Sequence, residues 1–146
     1  MRDSVRTIEP RFLEKRLTLR LSLPAEPCIV RGDGARLRQV TGNLLANAAK
    51  FTASEGRVEV GVSGDQTMAI ITVTDTGIGI HPDFLPQMFE RLRQADGDST
   101  SGLGLGLAIV KNLVELHGGE VTAAGDGIGR GAAFTVTLPR LSSSKF

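Results

Sequence analysis

Glycine placement constrains this chain more than any other feature, because glycine is unfavourable inside helices and strands. Eighteen of the 146 residues are glycine, which is about 12% where ~7% is usual. Eleven of the eighteen fall in four short runs, at residues 77–79, 102–106, 118–119 and 125–131. These runs predict breaks between short secondary-structure elements, and they mark places where the backbone can approach a neighbour or a ligand closely.

Length and composition predict one globular domain at residues 1–140, followed by a C-terminal tail at 141–146. The chain is 40% hydrophobic and 23% charged, with a formal net charge of +1. That balance gives no reason to expect nucleic acid or an anionic membrane as a partner. Cys28 is the single cysteine, which excludes an internal disulfide and a cysteine-based metal cluster. No apolar run approaches the roughly 18–20 residues of a membrane span.

Hydrophobic periodicity predicts an α+β fold or a two-layer α/β sandwich, since strands and helices follow one another without regular βαβ alternation. Alternating or short apolar runs predict strands at 17–23, 28–30, 58–62, 68–74, 120–124 and 133–138, the third and fourth forming a hairpin. Apolar residues three or four apart predict helices at 4–17, 35–51, 84–92 and 107–116, with Asp33 as the N-cap of the second. The polar segment 93–101 predicts a mobile surface loop.

Asn43, Asn47 and Lys50 form the first group of candidate functional residues. Their spacing of four and three residues places them on one face of the predicted helix, beside its apolar stripe. An asparagine carbonyl is a hard oxygen ligand suited to Mg²⁺, and a lysine can meet phosphate. The group predicts a ligand site where the helix meets the sheet, and a solvated helix face is the alternative.

The second group, Asp75, Gly77 and Gly79, follows the fourth predicted strand. A carboxylate at the end of a strand can accept hydrogen bonds from an amine or an amide. The two glycines let the backbone pass close to a flat ligand. The alternative is an ordinary glycine turn in which Asp75 caps the loop.

The third group is the run GLGLGL at residues 102–107, just before the last predicted helix. Glycine N–H groups at a helix N-terminus form a natural phosphate site. The run partly resembles a dinucleotide-binding fingerprint, but no predicted strand leads into it, and no Lys-Ser or Lys-Thr pair follows as in a P-loop. A flexible linker ahead of the helix is the remaining alternative.

Taken in order, the three groups resemble the sequence boxes of the catalytic ATP-binding domain of two-component sensor histidine kinases. The resemblance is carried by NLLANAAKFT at 43–52, DTGIGI at 75–80, MFER at 88–91 and GLGLGL at 102–107. These correspond to the N, G1, F and G2 boxes of that family. Flanking segments agree at 36–40, 116–119 and 134–139, so the match covers residues 5–140.

The resemblance implies a mixed β-sheet packed against a layer of helices, with ATP and Mg²⁺ bound between the two layers. Asp75 would bind the adenine amino group, Asn47 would coordinate Mg²⁺, and Asn43 and Lys50 would act on the phosphates as catalytic residues. The implied cofactor-binding residues are Asn43, Asn47, Lys50, Asp75, Gly77, Gly79, Ile80, Phe89, Gln94, Gly102, Leu103, Gly104, Leu105, Gly106 and Leu107.

The resemblance also implies a protein histidine kinase whose acceptor histidine lies on a separate dimerisation domain, since neither His81 nor His117 matches that acceptor. The implied partners are ATP or ADP, the dimerisation and histidine phosphotransfer domain, and the receiver domain of a response regulator. Nucleic acid and membrane contact are not implied for this domain. It would be cytoplasmic, whether or not the full-length kinase is anchored in a membrane.

Several alternatives stay open at this point. ATPases that share the fold commonly carry a glutamate base where Asn43 stands, and an amide cannot take that role. An anti-sigma-factor serine kinase would share the fold, although the N and F boxes fit sensor kinases better. Segment 93–101 matches the ATP lid of the resembled family but has no Arg or Lys after Arg93, so a non-catalytic nucleotide-binding or interaction module with a degenerate lid is the alternative. A dinucleotide-binding domain would need a strand directly before Gly102.

Overall fold

Five strands and two long helices make up the described part of the chain. The structure is a computed structural model, and it describes residues 10, 12–24, 30, 32–77, 103–125 and 131–140. In chain order the elements are β1 (Thr18–Ser22), α1 (Gly34–Phe51), β2 (Arg57–Gly64), β3 (Met68–Asp75), α2 (Leu103–Leu116), β4 (Glu120–Ala124) and β5 (Ala132–Pro139).

The strands form one mixed sheet in the order β1-β2-β3-β5-β4. Strands β1 and β2 are parallel, and the other three pairs are antiparallel. Parallel neighbours need a crossover connection, and α1 lies in the connection between β1 and β2. Strands β2 and β3 form the predicted hairpin, in which Val60 pairs with Val73 and Val58 with Asp75.

The hydrophobic core lies between one face of this sheet and the two helices. Alternation along the strands turns apolar residues to that face, and the stripes of α1 and α2 cover it. Fully buried core residues are Leu44, Leu45, Val58, Val60, Val110, Val114, Phe134 and Val136. The predicted two-layer sandwich with a mixed sheet is confirmed.

Helix α1 is fixed at both ends by side chains. Asp33 is its N-cap, as predicted, and its Oδ1 accepts from the N–H groups of Ala35 at 2.9 Å and Arg36 at 3.4 Å. At the C-terminal end, Lys15 Nζ donates to the carbonyl oxygen of Ala49 at 2.7 Å. A cation there satisfies a free carbonyl and complements the helix dipole. The chain segment before β1 is thereby bonded to the end of α1.

Helix α2 begins at Leu103, four residues earlier than the periodicity predicts. The glycine run therefore forms the first turn of the helix instead of preceding it. Asn43 Nδ2 donates to the carbonyl oxygen of Gly106 at 3.3 Å, and such tertiary contacts override the low helix propensity of glycine.

The predicted glycine stop of α2 is confirmed as a Schellman motif. Gly118 has φ +77, and its N–H donates to Glu115 O at 3.0 Å. The N–H of Gly119 donates to Val114 O at 2.9 Å. This pair of bonds closes the last helical turn and directs the chain into β4.

His117 joins the C-terminal end of α2 to the N-terminal end of α1. Its Nε2 accepts from the N–H of Asp33 at 3.2 Å, and its Nδ1 lies 2.7 Å from Leu113 O. Because Nε2 is the acceptor, the proton of the neutral ring sits on Nδ1 and is donated to Leu113. The histidine therefore has a structural role in the described part of the chain.

Replacing His117 with alanine should lower the free energy of unfolding by about 1–3 kcal/mol, because it removes two hydrogen bonds that usually contribute roughly 0.5–1.5 kcal/mol each. Urea denaturation of the two proteins measures this difference. Asn112→Ala, which alters an exposed residue of the same helix, is the control and should not destabilise the chain. An unchanged unfolding midpoint in His117→Ala would show that the bridge contributes nothing.

Several predicted elements lie outside the described residues. They are residues 4–9 and 11 of the helix at 4–17, whose described residues 12–14 are helical, residues 28–29 of the second strand, the helix at 84–92, the loop at 93–101 and most of the turn at 125–131. Among the described helices, none combines the length and the apolar character that crossing a bilayer requires.

Candidate functional site

Asp75 ends β3 with its side chain on the helix-facing side of the sheet. Its register partners, Val58 on β2 and Ala132 on β5, flank it. The residue is only 6% exposed, and its Oδ1 accepts from the N–H of Gly77 at 2.8 Å. The predicted carboxylate at a strand end is therefore present, and the fold buries it.

Burial raises the pKa of Asp75, while hydrogen bonds from the N–H groups of Gly77 and Ala132 partly oppose the rise. A raised folded-state pKa means that this carboxyl group contributes stability at low pH. The contribution is lost as pH rises through the raised pKa. At neutral pH the fold therefore holds a partly desolvated carboxylate at a cost in stability. Such a group is suited to accept a hydrogen bond from a ligand.

Gly77 and Gly131 bring the ends of α1, β3 and β5 together around Asp75. A Cβ on Gly77 would overlap the carbonyl oxygen of Phe51 and lie 2.9 Å from Asp75 Oδ1. The N–H of Gly131 donates to Gly77 O at 3.2 Å. Gly131 has φ +74, and a Cβ there would overlap the Asp75 carbonyl oxygen. Both positions therefore require glycine for contacts within the protein.

Asn43 links the first and third groups of predicted site residues. It is half-buried on α1, and its bond to Gly106 O ties it to the glycine-rich first turn of α2. The segments at 43–52 and 102–107, which are distant in sequence, therefore meet where α1 packs against α2.

Asn47 and Lys50 continue along α1 toward Asp75. Asn47 is half-buried and Lys50 is exposed. Lys50 Nζ lies 5.5 Å from the centre of the Phe51 ring, within the range of a cation–π contact. The helix thus presents two amides and one ammonium group in a row that ends where Phe51 contacts Gly77.

Two neighbouring residues in the glycine-rich first turn of α2 have different surroundings. Leu107 is 1% exposed and packs in the core. Gly106 is half-buried, and no described atom lies within 4 Å of the position that a Cβ would take there. The described residues thus do not require glycine at this point in the helix, and the open position would allow a ligand to approach the backbone closely.

Gly106→Ala should therefore have effects of opposite sign on stability and on nucleotide binding. The nucleotide-free chain should gain up to about 1 kcal/mol, since alanine favours a helix. Affinity for ATP should fall about 5- to 150-fold if a phosphate occupies the space, as expected for ~1–3 kcal/mol of overlap. Urea denaturation and calorimetric titration measure the two. A stabilised variant that binds ATP as tightly as the original chain would place the phosphates elsewhere.

The remaining predicted site residues lie outside what the structure describes. For Leu103, Gly104 and Leu105 the structure gives the helical backbone alone. The residues outside the described ranges are Gly79, Ile80, Phe89, Gln94 and Gly102.

Sequence reasoning missed three residues at this site. Gly131 and Ala132 contact the Asp75 segment from β5, and Thr52 is completely buried just after Phe51. The glycine run at 125–131 predicted that the backbone approaches another group closely, but it did not predict that this group is the Asp75 segment. Thr52 ends the NLLANAAKFT segment that carries the resemblance, but neither its residue type nor its spacing predicted its complete burial.

Comparison with known proteins shows the family. Residues 32–142 match the family described as Histidine kinase-, DNA gyrase B-, and HSP90-like ATPase. The circadian input-output histidine kinase CikA of Synechococcus elongatus is 42% identical over 132 residues, which cover 88% of this chain and 17% of that protein. The sensor histidine kinase RppB of Synechocystis sp. is 36% identical over 149 residues, covering 97% of this chain and 33% of RppB.

Solved structures agree with these relatives. The mycobacterial sensor histidine kinase MprB superposes with a TM-score of 0.80 at 32% identity, over 95% of this chain and 93% of that one. Full-length ShkA in complex with AMPPNP gives a TM-score of 0.83 at 34% identity, over 97% of this chain and 29% of ShkA.

A buried carboxylate at a strand end and an asparagine-bearing helix bonded to a glycine-rich turn therefore belong to an ATP-binding domain. The chain is a member of the Histidine kinase-, DNA gyrase B-, and HSP90-like ATPase family, and it is the catalytic domain of a histidine kinase. It spans a third or less of the length of CikA and RppB.

Proposed function

We propose that this domain binds Mg-ATP and supplies the γ-phosphoryl group to a histidine on a separate dimerisation domain. The observation that supports this most directly is the meeting of Asp75, Gly77 and the end of α1 at the C-terminal end of β3, the central strand of the sheet. A base bound at Asp75 places its phosphates along the row formed by Lys50, Asn47 and Asn43, toward Gly106.

Each residue has a role that its chemistry permits. Asp75 accepts a hydrogen bond from the adenine amino group, and Lys50 neutralises phosphate charge. The N–H groups at the start of α2 bind phosphate oxygens. Asn43 cannot remove a proton from water, which favours transfer to a protein nucleophile over hydrolysis.

Asn47 fits a magnesium ion that is held mainly by the nucleotide. Within the described ranges, no group of three or more His, Cys, Asp or Glu side chains could hold a metal ion. One asparagine oxygen together with phosphate oxygens and water is an ordinary set of ligands for Mg²⁺. When bound, the ion would supply positive charge that offsets the negative charge of the phosphates during transfer.

The transfer itself requires a second protein segment. A nitrogen of the acceptor histidine forms a bond to the γ-phosphorus, and the bond from that phosphorus to the bridging oxygen of ADP breaks. The receiver domain of a response regulator would take the phosphoryl group next. We place residues 1–140 in the catalytic domain and 141–146 in a tail.

A transfer assay with the two separate parts tests the proposal. The chain, Mg²⁺ and ATP labelled at the γ-phosphate are mixed with the dimerisation domain of a related sensor kinase. Acid-labile phosphate should appear on that domain, and replacing its acceptor histidine with glutamine should abolish the signal. ATP binding without any transfer in this assay would favour the non-catalytic module instead.

A further inference from the structure

Lys15 makes three hydrogen bonds to the end of helix α1 and to the connection that follows it. Its Nζ donates to Ala49 O at 2.7 Å and to Lys50 O at 3.4 Å. Its own carbonyl oxygen accepts from the N–H of Glu55 at 2.9 Å. These partners lie on both sides of residues 52–54, so one residue from the segment before β1 holds the connection between α1 and β2 at both of its ends.

The position of Lys15 is fixed by the turn that contains it. The N–H of Leu17 donates to Phe12 O at 2.8 Å, and the N–H of Arg16 donates to Leu13 O at 3.1 Å. Arg16 has φ +56, so the turn is a Schellman motif that ends the short helical segment before β1. Phe12 and Leu17 are both buried in the core. The half-buried side chain of Lys15 therefore extends from a backbone that is anchored on both sides.

The carbonyl groups at the end of α1 connect Lys15 to the carboxylate of Asp75. Carbonyls in the last turn of a helix have no partner within that helix, and Lys15 supplies one for the two carbonyls that precede Phe51. The carbonyl oxygen of Phe51 lies so close to Gly77 that a Cβ there would overlap it. The N–H of Gly77 in turn donates to Asp75 Oδ1 at 2.8 Å. A continuous series of contacts thus joins the ammonium group to the carboxylate.

We propose that Lys15 is a positioning residue of the nucleotide site, which holds the end of α1 against Gly77 and so aligns Asp75 with the asparagine-bearing face of α1. This inference rests on the proposed nucleotide function. The adenine and the phosphates would bind to different elements, β3 and α1, so affinity depends on the placement of one element relative to the other. Lys15 fixes that placement before the ligand arrives, and preorganisation of this kind raises affinity.

Lys15→Met tests the role of the ammonium group, because methionine keeps an unbranched side chain but cannot donate a hydrogen bond. The variant should melt at a lower temperature, since carbonyls at the end of α1 lose their donor. Its affinity for ADP, measured by calorimetric titration well below the melting temperature, should fall about 2- to 10-fold, the range of one hydrogen bond. Lys15→Arg keeps a cationic donor and should restore most of the affinity.

The amide resonance of Gly77 reports the alignment directly, because its N–H donates to Asp75 Oδ1. In nucleotide-free Lys15→Met this resonance should shift in an NMR spectrum, and in Lys15→Arg it should return toward its original position. A purely structural role for the ammonium group would lower the melting temperature but leave both the Gly77 resonance and the ADP affinity unchanged.

Two controls separate positioning from a loss of charge and from a loss of stability. Arg20→Met removes a positive charge from β1 on the sheet face away from the helices, because Arg20 alternates with Leu19 and Leu21, which pack against the core. Val121→Ala removes buried methyl groups from β4, at the opposite edge of the sheet from β1, and should lower the melting temperature. Neither control should change the affinity for ADP.

The loss of affinity in Lys15→Met should be equal for ADP and ATP, because the placement of adenine relative to α1 is common to both. A loss that grows with the number of phosphates would indicate direct attraction of phosphate charge and would overturn the proposal. Unchanged ADP affinity in Lys15→Met, or an equal loss in either control, would also overturn it.

Two further outcomes are distinguishable from these. If Lys15→Met does not fold, Lys15→Gln replaces it, since that side chain is shorter and uncharged, and an ADP affinity equal to that of the original chain would refute the role of Lys15. If the original chain itself does not bind ADP, the proposed function fails and the positioning role fails with it.

Discussion

Replacing Asp75 with asparagine should weaken ADP and ATP binding about 10- to 150-fold, because a charge-assisted hydrogen bond contributes roughly 1.5–3 kcal/mol. Asparagine keeps the shape of the side chain but removes the charge that the buried site directs at the ligand. Calorimetric titration with and without Mg²⁺ measures the loss. Because burial raises the pKa of Asp75, affinity in the original chain should also fall with decreasing pH, starting above the range where an exposed aspartate protonates. The variant should lack that pH dependence.

Asp65→Asn is the matched control for this substitution. Asp65 lies at the turn between β2 and β3 and is exposed. Hydrogen bonds from Met68 and Thr67 lower the pKa of its carboxyl group. Asp65→Asn removes one negative charge, as Asp75→Asn does, but at the other end of β3. It should leave nucleotide affinity unchanged. Equal weakening in both variants would indicate a general charge effect, and unchanged binding in Asp75→Asn would remove Asp75 from the site.

The second large effect is expected for Gly77→Ala. The new Cβ would overlap the carbonyl oxygen of Phe51 and crowd Asp75 Oδ1, so the end of α1 and the end of β3 must move apart. Overpacking of this kind lowers the free energy of unfolding by about 1–3 kcal/mol. Nucleotide affinity should fall by a similar free energy, about 5- to 150-fold, because Asp75 and the asparagine helix lose their alignment. Urea denaturation and calorimetry measure the two effects.

Gly42→Ala provides the comparison for Gly77→Ala. Gly42 lies within α1, and no described atom lies within 4 Å of its missing Cβ. Alanine should stabilise the helix there by about 0.5–1 kcal/mol and leave nucleotide binding intact. The two glycine substitutions should therefore change stability in opposite directions. Destabilisation of similar size in both would mean that the contact between Gly77 and Phe51 is not the cause.

The elements of this fold were predictable where the hydrophobic pattern is regular. The alternating valines at 58, 60 and 62 predicted a strand, and the structure has β2 there as the first strand of the hairpin with β3. Pairing between distant strands was not predictable, since alternation identifies a strand without identifying its neighbour. The parallel pairing of β1 with β2 is such a case. The early start of α2 was missed because a glycine run resembles a loop unless its contact with Asn43 is known.

Candidate site residues were predictable where their chemistry shows in the sequence. Asp75 at a strand end and the asparagine row of α1 were identified from residue type and spacing, and the structure describes both. The packing partners were not predictable. The need for glycine at position 131 depends on the Asp75 carbonyl group. The complete burial of Thr52 likewise depends on the segments packed around it. Both are properties of tertiary contacts between segments far apart in the sequence.

Helix α2 is bonded to α1 near both of its own ends, by the Asn43–Gly106 bond and the Asp33–His117 bond. Asp33 and Asn43 are ten positions apart, which is about 15 Å along a helix. Sliding of α2 along α1 would therefore break one bond or the other. A displacement of the glycine-rich turn relative to α1 would also strain the Asp33–His117 bond at the other end of α2.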